Sequence, residues 1–464
     1  MDRIPTLCKD YARHRTTVTT PAPRSSAVAA VLASLVVVMT LRTAHAGTAQ
    51  EPQGKAETAG AFIHPGIQID KAQLDFVKAR LAAHAEPWNT AFAAIKNSSF
   101  GSLKYKPKPR ANVECGAYSN PDHGCSDEKN DAIAAYTHAL LWYFTEDRAH
   151  ARKAIEIMNA WSAVLVKHTN SNAPLQAAWA ASVFPRAAEL VRHTYDGWAK
   201  RDVDAFEKML SKVYMPLVDH GSDSNGNWEL SMIEASMGIA VFLDDRAAFN
   251  TAVRLWRKRV PAYVYLTSDG PNPVAPPQGN KNWHKFWYDQ TKLVDGLSQE
   301  TCRDLGHVQY GLAAMTNAAE TATIQRVNLF AEQAQRLRAT YEFHAKWLNN
   351  SAVPGWLCGG KLKDVSPDPM WEIGYNALVN RQGLELPETK RLIQKIRPTK
   401  ADHHMAWETL THAGIGKVLH GAKDKQIDKT TWNFETNDRG NHQLEHDTDS
   451  PQHARIGNGP TPRS

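Results

Sequence analysis

Beyond residue 41 this 464-residue chain has no apolar run approaching the roughly 20 residues that a membrane-spanning helix needs. Cysteine is scarce, five in all, and neither Cys-x-x-Cys nor His-x-His spacing occurs, so the usual zinc frameworks have no support. No block of Lys and Arg interleaved with aromatics is found, and a nucleic-acid partner is not expected. Regular strand–helix alternation and runs of hairpins are missing too, which sets aside α/β and all-β architectures. The net charge of +6 is moderate and fits an acidic substrate.

The chain begins with an export signal. Arg3, Lys9, Arg13, Arg15 and Arg24 form a basic region, Ala27 to Leu41 an apolar run, and Ala44-His45-Ala46 a small-x-small cleavage site. Residues 1–46 therefore read as a signal peptide, 47–61 as a linker, 62–420 as the folded domain and 421–464 as a polar tail too poor in aliphatics to order itself. A secreted or periplasmic monomer with no membrane partner is expected. Cys8 leaves with the signal, and Cys115, Cys125, Cys302 and Cys358 remain, an even number for an oxidising compartment. Of three pairings, Cys115 with Cys125 closes a short loop, and Cys302 with Cys358 follows.

Within the domain the apolar period is that of helices. Asp70 is placed to cap a helix through Leu81, with Leu74, Val77 and Leu81 on one face. Paired helical patterns follow at 131–143 and 149–165, 175–193 and 203–218, 230–243 and 246–259, and 293–319 and 326–347. Helix pairs in series predict an all-α fold, an (α/α) barrel or incomplete toroid. The segment 100–127 reads as a long loop held by the Cys115–Cys125 bridge, and 221–228, 268–288 and 366–376 are expected at one rim, where sites are built. The 14 Trp and 13 Tyr suit a carbohydrate groove as well as a core.

One stretch concentrates chemistry. Read as a helix, Gln299 to Leu312 aligns Glu300, Arg303, His307 and Tyr310 in one stripe: carboxylate, guanidinium, imidazole and phenol. A second cluster, Asn225 to Trp228, opens a helix, where backbone N–H groups favour an anion.

Arg303 and Tyr310, seven residues apart, with the turn Asn225-Gly226-Asn227-Trp228 upstream, resemble polysaccharide lyase family five, although that family's His in the turn is replaced here by Asn225 or Asn227. The closer resemblance is to the alginate lyase-like group that includes family thirty-eight, through Cys115-Gly116 to Cys125, Gln299 to Tyr310 and Trp371-Glu372-Ile373-Gly374-Tyr375. It covers residues 62–416. It implies a helical toroid that cleaves an acidic polyuronate (alginate, especially polymannuronate, or glucuronan) by β-elimination, leaving 4,5-unsaturated uronate ends.

That reaction removes the C5 proton, which is acidic only once the C6 carboxylate is neutralised, and protonates the departing O4. Asn227 and Arg303 suit neutralisation, and Tyr310 suits donation to O4. The base is Tyr310 itself, with Arg303 close enough to lower its pKa, or a histidine, His307 or His284. Asn225, Trp228, Trp283, His284, Tyr288, Glu300 and Trp179 are the expected substrate contacts, with Trp179 alternatively core. No cofactor and no catalytic metal are expected. Two rival readings are a glycoside hydrolase using two of Asp219, Asp223, Glu300, Asp304 and Glu372, and a non-catalytic protein that binds acidic polysaccharide.

Overall fold

The computed structural model describes residues 60–416 except 278, 280, 281 and 291. The expected signal peptide, nearly all of the expected linker and the expected tail from 421 lie outside the described residues.

A hairpin of β1 (Gly66–Ile67) and β2 (Ile69–Asp70) leads into α1 (Lys71–Ala82) and α2 (Trp88–Asn97). Asp70 caps α1 reciprocally: its carboxylate accepts from the Gln73 N–H at 2.8 Å, and the Gln73 side chain accepts from the Asp70 N–H at 3.1 Å. Next come β3 (Asn112–Cys115), β4 (Asp122–His123), α3 (Cys125–Thr145), α4 (Arg148–Val164) and β5 (Lys167–Thr169). The helices α5 (Ala173–Thr194), α6 (Lys200–Met209), α7 (Met215–Val218), α8 (Gly226–Phe242) and α9 (Arg246–Tyr263) follow. The chain continues through α10 (Trp283–Phe286), α11 (Leu305–Ile324), α12 (Leu329–Glu332), α13 (Ala334–Leu348), α14 (Trp371–Tyr375) and α15 (Pro387–Ile396). It finishes with β6 (Ala401–Asp402), β7 (Met405–Ala406) and α16 (Glu408–His412).

The layering follows from composition. Helices α3, α5, α8 and α11 are rich in small and apolar residues and buried on nearly every side, so they form the inner wall. They pack in series, α3 on α5, α5 on α8 and α8 on α11, with α4 outside α3 and α9 outside α8. The outer helices are amphipathic: α9 buries Phe249, Ala252, Val253, Trp256 and Val260 on one face. Inner and outer layers are bolted by tryptophans. Trp161 of α4 donates to Asp131 of α3 at 2.7 Å, and Trp256 of α9 to the Met315 carbonyl of α11 at 2.9 Å. Both are fully buried, and truncating either to Ala costs about 3–5 kcal/mol. Past α11 the circuit continues through the five-residue α14 and α16, and α2 touches both α16 and α3. The all-α expectation holds: the architecture is an (α/α) toroid, incomplete in that its last quarter lacks full-length pairs.

Three local readings are corrected. The segment 100–127, expected as a loop, contributes a small sheet with β3 central, antiparallel to β4 and parallel to β5. The helix expected over 203–218 is interrupted by one π turn, Leu210–Tyr214, just before Pro216, which has no N–H for the ladder. The helix expected from 293 begins only at Leu305, because Asp304 caps it by accepting from the His307 N–H at 2.8 Å. Both expected disulfides, Cys115–Cys125 and Cys302–Cys358, are formed.

A buried polar hub fixes the centre. Glu234 of α8 accepts from Arg186 of α5, from Asn317 of α11 at 3.0 Å and from Gln68 in the first hairpin at 3.0 Å, and pairs with His404 Nδ1 at 2.7 Å. The turn between β6 and β7 is thereby pinned to the inner helices.

Candidate active site

The site lies where the N-termini of α8 and α11 meet the turns 299–304 and 402–404. Tyr263 explains why the two helices approach so closely. Its ring fills the space where side chains would stand at Gly226 and Gly311; a Cβ at Gly226 would lie 2.0 Å from that ring, and one at Gly311 2.4 Å from the phenol oxygen. The Tyr263 hydroxyl donates to Glu300 at 3.1 Å.

Glu300 is completely buried and gathers the site around itself. It accepts from the Asn227 backbone at 3.1 Å, from Asn227 Nδ2 at 2.8 Å on both oxygens, and from Arg303 Nη1 at 2.7 Å. Beside it, Gln299 accepts from the Gly226 N–H at 2.8 Å and donates to Asn225 Oδ1 at 3.0 Å. Although burial opposes its charge, Glu300 holds Arg303 firmly protonated, and the guanidinium stays partly open to the cleft. Glu300 and Asn227 thus stand behind the surface. Asn227 is also not the cap of its helix, since α8 starts at Gly226 with Asn225 at the cap position. Asn225 instead donates from Nδ2 to the Tyr288 hydroxyl at 2.9 Å, and burial pushes Tyr288 up to about 12.

The first two turns of α11 carry an imidazole and a phenol, His307 and Tyr310. His307 Nδ1 lies 2.7 and 2.8 Å from the two Asp304 oxygens, so Nδ1 carries a proton and Nε2 is the free end. Tyr310 follows one turn on, its ring 6.2 Å from that of His307. Arg303 was expected to lower the Tyr310 pKa. The opposite holds: burial, then the carboxylates of Asp402, Asp368, Asp364 and Asp304, push it well above its ordinary value. The helix start displaces Arg303 from the ladder that would have stacked it on Tyr310 and aims it at Glu300.

Several neighbours were not anticipated. His403 Nδ1 lies 3.4 Å from the Tyr310 hydroxyl and 2.9 Å from Asp402, which Lys129 also pairs at 3.2 Å. Asp368 is pushed up to about 7 by burial and by Asp402, Asp364 and Asp304. Tyr118, carried by the Cys115–Cys125 loop, sets its ring edge-on to His307 at 6.4 Å. The adjacent histidines in the polar segment 401–410 were a legible signal for His403; nothing local marks Asp368.

The remaining expected contacts separate. Trp179 is only 8% exposed and packs on His403 at 4.5 Å and Tyr310 at 5.9 Å, as a wall of the site. Trp228 is half-buried at the start of α8. Trp283 and His284 stack on each other at 3.6 Å, and Trp287 is buried as core. Tyr288 also lines a cavity of about 460 Å³ with Gln290, Trp356, Lys361 and Lys363, and Lys292 lies 4.9 Å from the Trp356 ring. Of the hydrolase carboxylates, Glu300 and Glu372 are buried in ion pairs with Arg303 and Arg397, and Asp304 is spent on the cap and His307.

The alginate lyase family model matches residues 105–353, more than half of the 464. The chain belongs to the alginate lyase family. It is therefore a polysaccharide lyase, and the hydrolase and binding-protein readings fall. Arg303, His307 and Tyr310 lie inside the matched region; Asp368, Asp402 and His403 lie beyond it. Alginate lyase A1-III of Sphingomonas species A1, as a variant complexed with a tetrasaccharide, has the same fold at 16% identity and a TM-score of 0.52, covering 76% of this chain and 97% of that one. An alginate lyase from Bacteroides ovatus aligns at 12% identity with a TM-score of 0.51, over 76% of this chain and 100% of its own. Among curated proteins none matches the sequence. Among the described residues of this lyase no helix is long and apolar enough to cross a membrane.

Proposed function

We propose that this lyase, exported to the periplasm or medium, cleaves β-linked mannuronate or glucuronate polymers by β-elimination, with Arg303, His307 and Tyr310 as its catalytic residues. The observation that carries this reading is the placement of a protonated phenol and a carboxylate-held imidazole one turn apart on α11, with a guanidinium beside them.

Arg303 takes the C6 carboxylate through the N–H groups that Glu300 leaves free, making the C5 proton removable. Asn227 serves this step indirectly, by holding Glu300. His307 Nε2 is the base, since Asp304 keeps the proton on Nδ1 and stabilises the imidazolium that forms. Tyr310, kept protonated by burial and by the surrounding carboxylates, delivers its proton to O4 as the C4–O4 bond breaks and the C4=C5 double bond forms. His403, against the Tyr310 hydroxyl, is placed to orient it. Base and acid both act from the α11 side. In mannuronate and glucuronate the C5 proton and O4 share one ring face, whereas in guluronate they lie on opposite faces, so the arrangement favours the first two. Tyr288 and the lysine-lined cavity beside it extend the groove for neighbouring uronates.

The test is ultraviolet absorbance of the unsaturated product during separate incubation with polymannuronate, glucuronan and polyguluronate. Absorbance is expected with polymannuronate or glucuronan and little with polyguluronate. A preference for polyguluronate would refute the same-face assignment.

A further inference from the structure

The cavity beside Tyr288 has features that the chemistry at Arg303, His307 and Tyr310 does not require. Its volume is about 460 Å³. Cys302, the residue before Arg303, lines it, so the cavity begins one backbone step, about 3.8 Å between Cα atoms, from the guanidinium-bearing residue. Tyr288 lines it too and lies within charge-interaction range of Arg303. The opposite wall is the loop 355–363, which is tied down twice. Cys358 is bonded to Cys302, and the Lys363 carbonyl accepts from the Leu305 N–H at 2.9 Å, at the start of α11. This loop lies beyond residue 353, where the family match ends.

The loop turns Trp356 to solvent. The residue is 38% exposed, and it is the one exposed tryptophan among the described residues. An indole left in water forgoes the stabilisation that burial gives the others, and its flat face suits the C–H side of a pyranose ring. Three lysines surround it. Lys292 Nζ stands 4.9 Å from the Trp356 ring centroid. Lys361 and Lys363 line the cavity and are exposed. The backbone at Lys361 is extended, so these two side chains leave on one side while Leu362 between them turns inward, 9% exposed. Among the described residues no carboxylate pairs with any of the three. Asp289, the one acid among the described lining residues, lies 3.9 Å from Lys285 instead. Three like charges gathered at one aromatic ring repel one another until an anion joins them. A merely solvated patch needs neither the exposed indole nor the ties to Cys302 and Leu305.

We propose that this cavity is a subsite for a uronate neighbouring the one held by Arg303, with Trp356 as its stacking platform and Lys292, Lys361 and Lys363 as its carboxylate ligands. The proposal rests on the reading that the substrate is a polyuronate. The polymer runs from Arg303 past Tyr288 into the cavity. Lys292 leaves the ring for the incoming carboxylate, since a cation–π contact at an exposed site is weak. A chain long enough to reach Trp356 then binds better than one that ends at Arg303, so chain length joins sugar identity in setting the rate.

The test measures initial rates by ultraviolet absorbance on polymannuronate, glucuronan and mannuronate oligosaccharides of increasing length, with a thermal melt of each protein. Trp356→Ala is expected to raise KM for the polymer about two- to tenfold, the loss of one aromatic contact, and to flatten the gain in kcat/KM with chain length. Trp356→Phe keeps a flat face and should recover most of that loss. The double variant Lys361→Gln/Lys363→Gln should raise KM and weaken its dependence on salt. Wild-type KM and wild-type chain-length dependence in both Trp356→Ala and the lysine variant overturn the subsite and leave the lyase reading intact. No ultraviolet product from the wild type on any polyuronate overturns that reading, and the subsite with it.

Discussion

Tyr310→Phe is the most direct test of the site, because the structure separates its effect on catalysis from its effect on folding. Among the described residues the hydroxyl has one hydrogen-bond partner, His403 Nδ1 at 3.4 Å, at the long limit of a hydrogen bond. Its loss should cost no more than about 0.5 kcal/mol, a Tm change of about 1 °C or less for a domain of this size. The ring's packing on Trp179 and His403 is retained. A positioned general acid contributes about 10²–10⁴-fold. The proton is given up only as O4 departs, so the loss belongs in kcat, with KM nearly unchanged. Initial rates across substrate concentration, read as ultraviolet absorbance, together with a thermal melt, measure both. A kcat loss under tenfold at unchanged Tm would refute the acid role. The wild-type pH profile offers a second check. A phenol pushed above its ordinary value stays protonated through the neutral range, so the rate should not climb with pH on account of Tyr310. A rate that rises steadily toward alkaline pH, and loses that rise in Tyr310→Phe, would make Tyr310 the base instead.

Glu300→Gln leaves the Arg303 charge without its buried partner and turns an amide donor toward Asn227 or Arg303; it should destabilise by about 3 kcal/mol and raise KM, and denaturant unfolding with initial rates checks both. Gly226→Ala drives a methyl group into the Tyr263 ring, at an expected cost of about 1–3 kcal/mol; a Tm equal to wild type would show that the ring moves freely aside. Asp368, pushed up to about 7, is neutral below that pH and charged above it. Its ionisation adds a negative charge beside a site built for a polyanion, so KM should rise as pH passes about 7, and Asp368→Asn should flatten that step in a KM–pH series.

Much of the framework was legible because its causes are local. The 3.6-residue apolar period, the aspartate cap at Asp70 and the short Cys115–Cys125 loop act over a few residues, and each reappears in the structure. The seven-residue spacing of Arg303 and Tyr310 is likewise written in the chain. Where a local rule competed with another, the sequence misled. The stripe from Glu300 to Tyr310 was read by helical period, but Asp304 is a better cap than helix interior, so the first half of the stripe turns inward and only His307 and Tyr310 share a helix face.

What tertiary structure alone decided is which distant groups share one space, and burial sets their chemistry. Asn227 meets Glu300 across 73 residues, and His403 meets Tyr310 across 93, because the Glu234 hub pins the β6–β7 turn to the inner helices. The rise in the Tyr310 pKa comes first from burial and then from carboxylates that include those on the segments 364–368 and 402, which no local pattern associates with α11. Period, capping and spacing depend on neighbours in the chain, so sequence determines them. Desolvation and electrostatic coupling depend on neighbours in space, and only the folded toroid brings those together.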